Sequence, residues 1–175
     1  MTESRQLLIG LFPTEPVQAA IHAHRQDWWW PKRCSFPPQE RLHLTLQYLD
    51  DQQGDAERHL RAALAGVTMQ PLDLTLDRSC TWVDNEDPVS VVQLSEHQGL
   101  RRLQHDISLA LRRSGFSSRL SGGWTPHITI ARNSERAAGP MSLEPIHWTA
   151  SEFRLVRSHF TRPFRHEPLD SYPLH

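Results

Sequence analysis

Apolar and polar positions along the chain fall into two periods, about 3.6 and 2, and the switches between them divide it into helices and strands. The run from Leu7 to Phe12 is apolar and stops at Pro13, which predicts a buried strand. Thr14 then stands as a helix N-cap, with Pro16 in the first turn and Val17, Ala20, Ile21 and His24 on one face. His22 and His24 project from that helix in different directions and are expected at the surface. Residues 30–40 are rich in proline and read as a loop, and residues 42–49 alternate as a strand. A turn follows, then a helix with Leu60, Ala63 and Leu64 inward, closed by Gly66. Residues 72–77 and 89–94 read as strands. Leu100, Leu103, Ile107 and Leu111 mark the clearest helix, ended by Gly115. Residues 117–124 read as a flexible loop, and 127–131 as a strand entered from Pro126. A further strand is expected over 152–160 and a short edge strand over 168–174. Strands that follow one another, with helices between, predict an α+β fold of mainly antiparallel sheet with helices outside.

Two of these strands carry the same interruption. His43 and Thr45 break the run Leu42, Leu44, Leu46, and His127 and Thr129 stand in the same register against Ile128 and Ile130. Side chains alternate across a strand, so each histidine shares a face with its threonine, about 7 Å apart, while the aliphatic residues face the other way. One such strand is ordinarily a polar surface. Two copies, one in each half of the chain, predict a two-lobed molecule with pseudo-twofold symmetry and the motif strands side by side across a cleft. Two imidazoles facing one another suit in-line displacement at phosphorus, which needs a base on one side and an acid on the other. The hydroxyls are suited to donate to non-bridging oxygens as charge accumulates there. A zinc site ordinarily needs a third ligand, and no Cys, Asp or Glu stands in ligand spacing beside either motif, so no metal is expected.

Composition narrows the picture further. A chain of 175 residues with 38% hydrophobic and 22% charged residues suits one soluble domain spanning 1–175. No apolar run approaches a membrane span, and the start resembles no signal peptide, so a cytoplasmic protein without membrane contact is expected. Cys34 and Cys80 are too few for a disulfide framework and read as free thiols. The net charge is −1, but residues 1–87 carry 8 Lys/Arg against 13 Asp/Glu, and residues 88–175 carry 11 against 7. An anionic ligand is therefore expected on the second half, where Arg132, Arg157, Arg162 and Arg165 lie, with one to three phosphate contacts rather than a long nucleic-acid groove.

The segments "HLTL" and "HITI", together with the strand ending at "LFP", the "HITIAR" run and the late "RSHFTRPFRHEPL", resemble the two-histidine phosphoesterases. Within these, the chain is most similar to the bacterial and archaeal RNA 2′,3′-cyclic phosphodiesterases, first named 2′-5′ RNA ligases (the LigT-like group). The resemblance implies a bilobal fold with two sheets lining a cleft, no cofactor, and a monomer acting on RNA ends or small nucleotides that carry a 2′,3′-cyclic phosphate. It implies hydrolysis to a 2′-phosphate, with reversible 2′-5′ ligation. By motif position, His43 is the expected proton donor and His127 the proton acceptor, with Thr45, Thr129 and Arg132 holding the phosphate. Related enzymes on 2′-5′ oligoadenylate or ADP-ribose cyclic phosphate, and a non-catalytic nucleotide-binding module, are the alternatives. The glycine common after the first motif strand of the family is displaced here to Gly54. Trp124 and Phe160 are candidates to stack on a base, and His159 to reach the cleft from the late strand. Trp28, Trp29 and Trp30 cannot share one face. A packed loop is expected of them, with base stacking as the alternative.

Overall fold

The computed structural model describes residues 4–83, 86–120 and 123–175; Ser121 and Gly122 of the expected loop lie outside them. Eight strands and three α-helices follow in the order β1 (Arg5–Leu11), α1 (Glu15–Gln26), β2 (Leu44–Asp50), α2 (Asp55–Ala65), β3 (Leu72–Trp82), β4 (Val89–Leu94), α3 (Gln98–Arg113), β5 (His127–Arg132), β6 (Ile146–Ala150), β7 (Glu152–His159) and β8 (Arg165–Pro173). All strand pairs are antiparallel, in the spatial order β6-β3-β4-β5-β2-β1-β7-β8. The four strands β6-β3-β4-β5 form one lobe and β2-β1-β7-β8 the other. They meet at a single residue pair, Leu44 with Ile128, so the two expected sheets are one continuous sheet divided at its middle.

Two of the three helices cross between the lobes. α1, which follows β1, packs on β6 of the opposite lobe, and α3, which follows β4, packs on β2. Each inserts the predicted stripe: Val17 and Ile21 from α1, and Leu100, Leu103, Ile107 and Leu111 from α3. Gln47, fully buried beneath α3, has its amide satisfied on both sides. Nε2 donates to Ser108 Oγ (3.2 Å) and to the Leu120 carbonyl (3.1 Å), and Oε1 accepts from the Leu120 N–H (2.8 Å).

Several expectations are corrected. The sequence pattern does not mark β6. Its inward residues Trp148 and Ala150 are only two within a five-residue strand that follows Pro140 and Pro145, so there is no long alternation to read. β3 runs on to Trp82 through Arg78-Ser-Cys-Thr, a stretch with no apolar alternation. β8 starts at Arg165, earlier than the expected edge strand. His24 is not at the surface: it is 7% exposed, with its Nε2 accepting from Trp28 Nε1 (3.1 Å) and lying 2.9 Å from Ser79 Oγ. Thr14 stands at the N-cap of α1 without a side-chain cap; its carbonyl accepts from the Gln18 N–H at 2.9 Å. Both cysteines are free.

Gly10 has a packing reason. β1 pairs with β2 at Gly10 and Thr45, and a Cβ on Gly10 would stand 2.8 Å from the Leu44 carbonyl oxygen. Gly10→Ala is expected to force the two strands apart beside the first motif and to cost roughly 1–3 kcal/mol. The check is urea unfolding, with a lowered midpoint at unchanged slope.

Candidate active site

The paired motifs lie where the two lobes meet, and they are built alike. In both, the residue after the threonine has no partner in the neighbouring strand. β1 skips Leu46, pairing Ile9 with Gln47 and Gly10 with Thr45. β4 skips Ile130, pairing Ser90 with Ala131 and Val91 with Thr129. A bulge of this kind inserts one residue and shifts the alternation beyond it. Leu46 and Gln47 are therefore both buried, as are Ile130 and Ala131. Strict alternation would turn Arg132 to the core with Ile128 and Ile130. The bulge returns it to the face of His127 and Thr129.

Both imidazoles are held in the same way. His43 Nδ1 lies 2.7 Å from the Arg41 carbonyl, and His127 Nδ1 lies 2.8 Å from the Thr125 carbonyl, two residues earlier in each case. A carbonyl oxygen only accepts, so Nδ1 carries the hydrogen in both rings, and Nε2 is left for chemistry. Arg132 is near enough to both rings to disfavour their protonation. Burial comes first among the causes that hold both histidines below their ordinary pKa, with Arg132 adding to it, and His127 adding further for His43. The carbonyls oppose this but do not reverse it. No hydrogen bond to the Thr45 or Thr129 hydroxyl is found among the described residues, which leaves both available to an oxygen-rich ligand.

Aromatic rings surround the pair. Trp82, from the unexpected end of β3, meets His127 edge-on at 4.5 Å between centroids. Phe12 and His166 each stand 5.5 Å from His43. Sequence reasoning misses His166 because nothing in the chain shows where β8 begins. Burial, then the nearby His43 and Arg41, push it down to about 4, so it stays neutral near pH 7 and does not compete as an acid.

The remaining candidates are dispersed. Trp124 is half-buried, with its Nε1 donating to the Thr45 carbonyl (3.2 Å) and Arg101 near its ring. Phe160 is 46% exposed and tilted against Phe164 at 5.5 Å. His159 is buried and hydrogen-bonded to Glu167 (2.8 Å), so it offers no surface to a ligand. Arg157 is likewise not available to a phosphate, because Asp51, Glu57 and Glu167 surround it and 9% of its side chain is exposed. Arg162 and Arg165 stay exposed. Among the described residues no group of three His, Cys, Asp or Glu side chains is placed to hold a metal ion, and no helix is long and apolar enough to cross a membrane.

Two pseudo-equivalent His-x-Thr strands at the centre of a two-lobed antiparallel sheet define the two-histidine phosphoesterase fold. Solved structures share it. Escherichia coli LigT complexed with NADP+ superposes with a TM-score of 0.83 at 22% identity, over 98% of this chain and 99% of that one. LigT complexed with 3′-AMP gives 0.82 at 23% identity over the same shares. TT0787 of Thermus thermophilus gives 0.76 at 21%, over 96% of this chain and 97% of that one. The chain is also 31% identical to the RNA 2′,3′-cyclic phosphodiesterase of E. coli (strain K12) over a 192-residue alignment covering 99% of each. A family model described as the 2′-5′ RNA ligase superfamily matches residues 13–163. The chain belongs to the 2′-5′ RNA ligase superfamily.

Proposed function

We propose that the protein is a metal-independent phosphodiesterase that opens the terminal 2′,3′-cyclic phosphate of RNA or of a small nucleotide, leaving a 2′-phosphate. The observation that carries this reading is the matched pair of imidazoles, each held through Nδ1 so that Nε2 is presented to the cleft. His127 takes a proton from water as the water oxygen attacks phosphorus, and the bond from phosphorus to the 3′ oxygen breaks. His43 gives its Nε2 proton to that departing oxygen. Thr45 and Thr129 donate to the non-bridging oxygens, and Arg132 offsets the charge that gathers on them. The same groups in the same roles let a 5′-hydroxyl replace water, which forms a 2′-5′ linkage, and in exchanged roles they reverse that step. The curated relative's name, RNA 2′,3′-cyclic phosphodiesterase, supports the substrate class. The cytoplasm is the expected compartment, and the protein acts as a monomer.

The test is a panel of 2′,3′-cyclic mononucleotides, 2′,3′-cyclic-phosphate oligonucleotides, 2′-5′ oligoadenylate and ADP-ribose cyclic phosphate, assayed in EDTA with the position of the product phosphate determined. Turnover of the first two groups to 2′-phosphates is expected. A 3′-phosphate product, or activity that returns only when a divalent metal is added back, refutes the reading.

The productive state holds one proton on the pair, on His43 and not on His127. As pH rises, kcat/KM should increase while His127 loses its proton and decrease once His43 loses its own. Both histidines are held below their ordinary value, so the optimum for kcat/KM is expected on the acid side of about 6.5. Bound cyclic phosphate brings a negative charge that favours protonated His43, so the kcat profile should lie at higher pH than the kcat/KM profile. Steady-state kinetics from pH 4.5 to 9 checks both positions.

A further inference from the structure

The three consecutive tryptophans do different things. Trp28 is 8% exposed and stacks on Trp30 at 4.7 Å between centroids, with the rings 6° from parallel. Gly139 makes room for that stack: a Cβ there would stand 2.5 Å from the Trp28 ring. These two tryptophans fasten the segment to the lobe. Trp29 takes no part in the stack and is 62% exposed. It is nevertheless held in place. Its N–H donates to the Ala138 carbonyl (2.8 Å), and its carbonyl accepts from the Ala138 N–H (3.0 Å). A large indole kept in water on a fixed backbone contributes little to the fold.

The segment does not end at Trp29. It runs back toward the cleft, where Ser35 exchanges two backbone hydrogen bonds with Arg132, at 2.9 and 3.1 Å. Arg132 is the residue whose charge acts on both His43 and His127. Next to Ser35, Phe36 is 45% exposed, with its ring fixed edge-on against Trp30 at 5.2 Å. Between Phe36 and Trp29 lie the exposed Lys32 and Arg33. Along the chain from Phe36 back to Trp29 the order is an aromatic ring, two cations and a second aromatic ring, with the Arg132 cation joined to the segment at Ser35.

We infer that this ledge is a second binding site, for the single-stranded RNA that precedes the cyclic phosphate. Phe36 and Trp29 each stack on a base of the strand, while Lys32 and Arg33 meet phosphates of the stretch between those bases. Exposed rings alternating with cations are what a single strand needs, since every base has a face to stack and every linkage a charge to neutralise. Arg132 and Ala138 are six residues apart, at most about 20 Å of extended chain. The ledge is therefore short and suits about four nucleotides, the low end of such sites. This inference rests on the proposed reading of the cleft and adds the nature of the substrate beyond its last nucleotide.

The experiment compares a 2′,3′-cyclic mononucleotide with a hexanucleotide ending in a 2′,3′-cyclic phosphate. KM is measured for both, and anisotropy of the labelled hexanucleotide reports binding independently of turnover. Wild type is expected to hold the hexanucleotide at least tenfold more tightly. Trp29→Ala should weaken the hexanucleotide roughly tenfold while leaving kcat/KM on the mononucleotide unchanged, and Phe36→Ala should act in the same direction. Replacing Lys32 and Arg33 together by Gln should reduce the slope of log K against log salt by roughly 0.7 for each lost contact, on the hexanucleotide only. Equal affinity of wild type for the two substrates overturns the inference. So does a Trp29→Ala effect of the same size on both substrates, which would mark a structural role. So does loss of a dimer in Trp29→Ala without any change in RNA binding, which would mark a self-association surface. Failure of wild type to turn over either substrate counts against the proposed cleft chemistry instead, and anisotropy still decides the ledge.

Discussion

His43→Ala and His127→Ala are each expected to reduce kcat on a 2′,3′-cyclic phosphate by roughly 10²–10⁴-fold, because each removes one partner of an in-line proton transfer. The double variant should fall little below the worse single variant, since the two rings act as a unit. The folded state should survive. Both rings sit on the cleft side of strands whose core faces, Leu44 and Leu46 with Ile128 and Ile130, are fully buried and untouched by the change. The controls are far-ultraviolet circular dichroism and an unfolding curve beside single-turnover kinetics. Near-wild-type kcat in either single variant, at saturating substrate, removes that histidine from the chemistry. The two should also differ in how they are rescued. A leaving group with a low pKa needs no proton from His43, so His43→Ala should recover on a nitrophenyl ester while His127→Ala should not.

Arg157→Ala is expected to have the largest effect on stability. Nε donates to Asp51 Oδ1 (2.8 Å), and Nη2 donates to the Gln52 carbonyl (2.9 Å) and to Glu57. Glu167 completes the surround at 3.6 Å. One cation thus ties the turn after β2 and the first turn of α2 to the β7–β8 hairpin. Asp51 and Glu57 are 17% and 20% exposed, so deleting the guanidinium leaves their charges close together and poorly hydrated. Removing one partner of a buried ion pair costs roughly 3–5 kcal/mol. Glu167 keeps 41% of its side-chain surface, which places the loss at about 3 kcal/mol, the low end. For a chain of this length that lowers Tm by about 6–12 °C. The mononucleotide KM should hardly change at a temperature where the variant is folded, because Arg157 does not face the cleft. Thermal unfolding followed by circular dichroism, with kinetics on the same sample, separates the two effects.

Arg157 also shows where sequence reading stops. The sequence groups it with Arg132, Arg162 and Arg165 as a phosphate ligand, because charge along a chain is visible and pairing across 106 positions is not. The α+β class, the long stripe of α3 and the two histidines with their threonines are legible, since each rests on a local period or a repeated tetrapeptide. Arg132 is found by its place after the second motif. The reason it faces the cleft, a bulge at Ile130 that changes the alternation, depends on the register with β4 and leaves no mark in the sequence. His24 is misplaced by the expectation that it and His22 face solvent: its periodicity with Val17 and Ile21 puts it on the buried face, but its partners, Trp28 and Ser79, come from a loop and from another strand and are not visible along the chain. His166 and Trp82 lie at strand ends that polar residues hide. The tryptophan cluster is expected to pack, and two of the three do; the one that does not is apparent only once the backbone around Trp29 is known.

The crossing of α1 and α3 between the lobes bears on how such a chain can be rebuilt from parts. The segment from β3 to β6 is continuous in sequence and makes one whole lobe, so it looks like a module to exchange between relatives. It carries α3, however, whose seat is on β2, and it provides with β6 the seat for α1. A graft at those boundaries breaks both contacts even if each lobe arrives intact. A productive chimera must therefore match across two seams at once: the helix to its distant strand, and the first motif to the second.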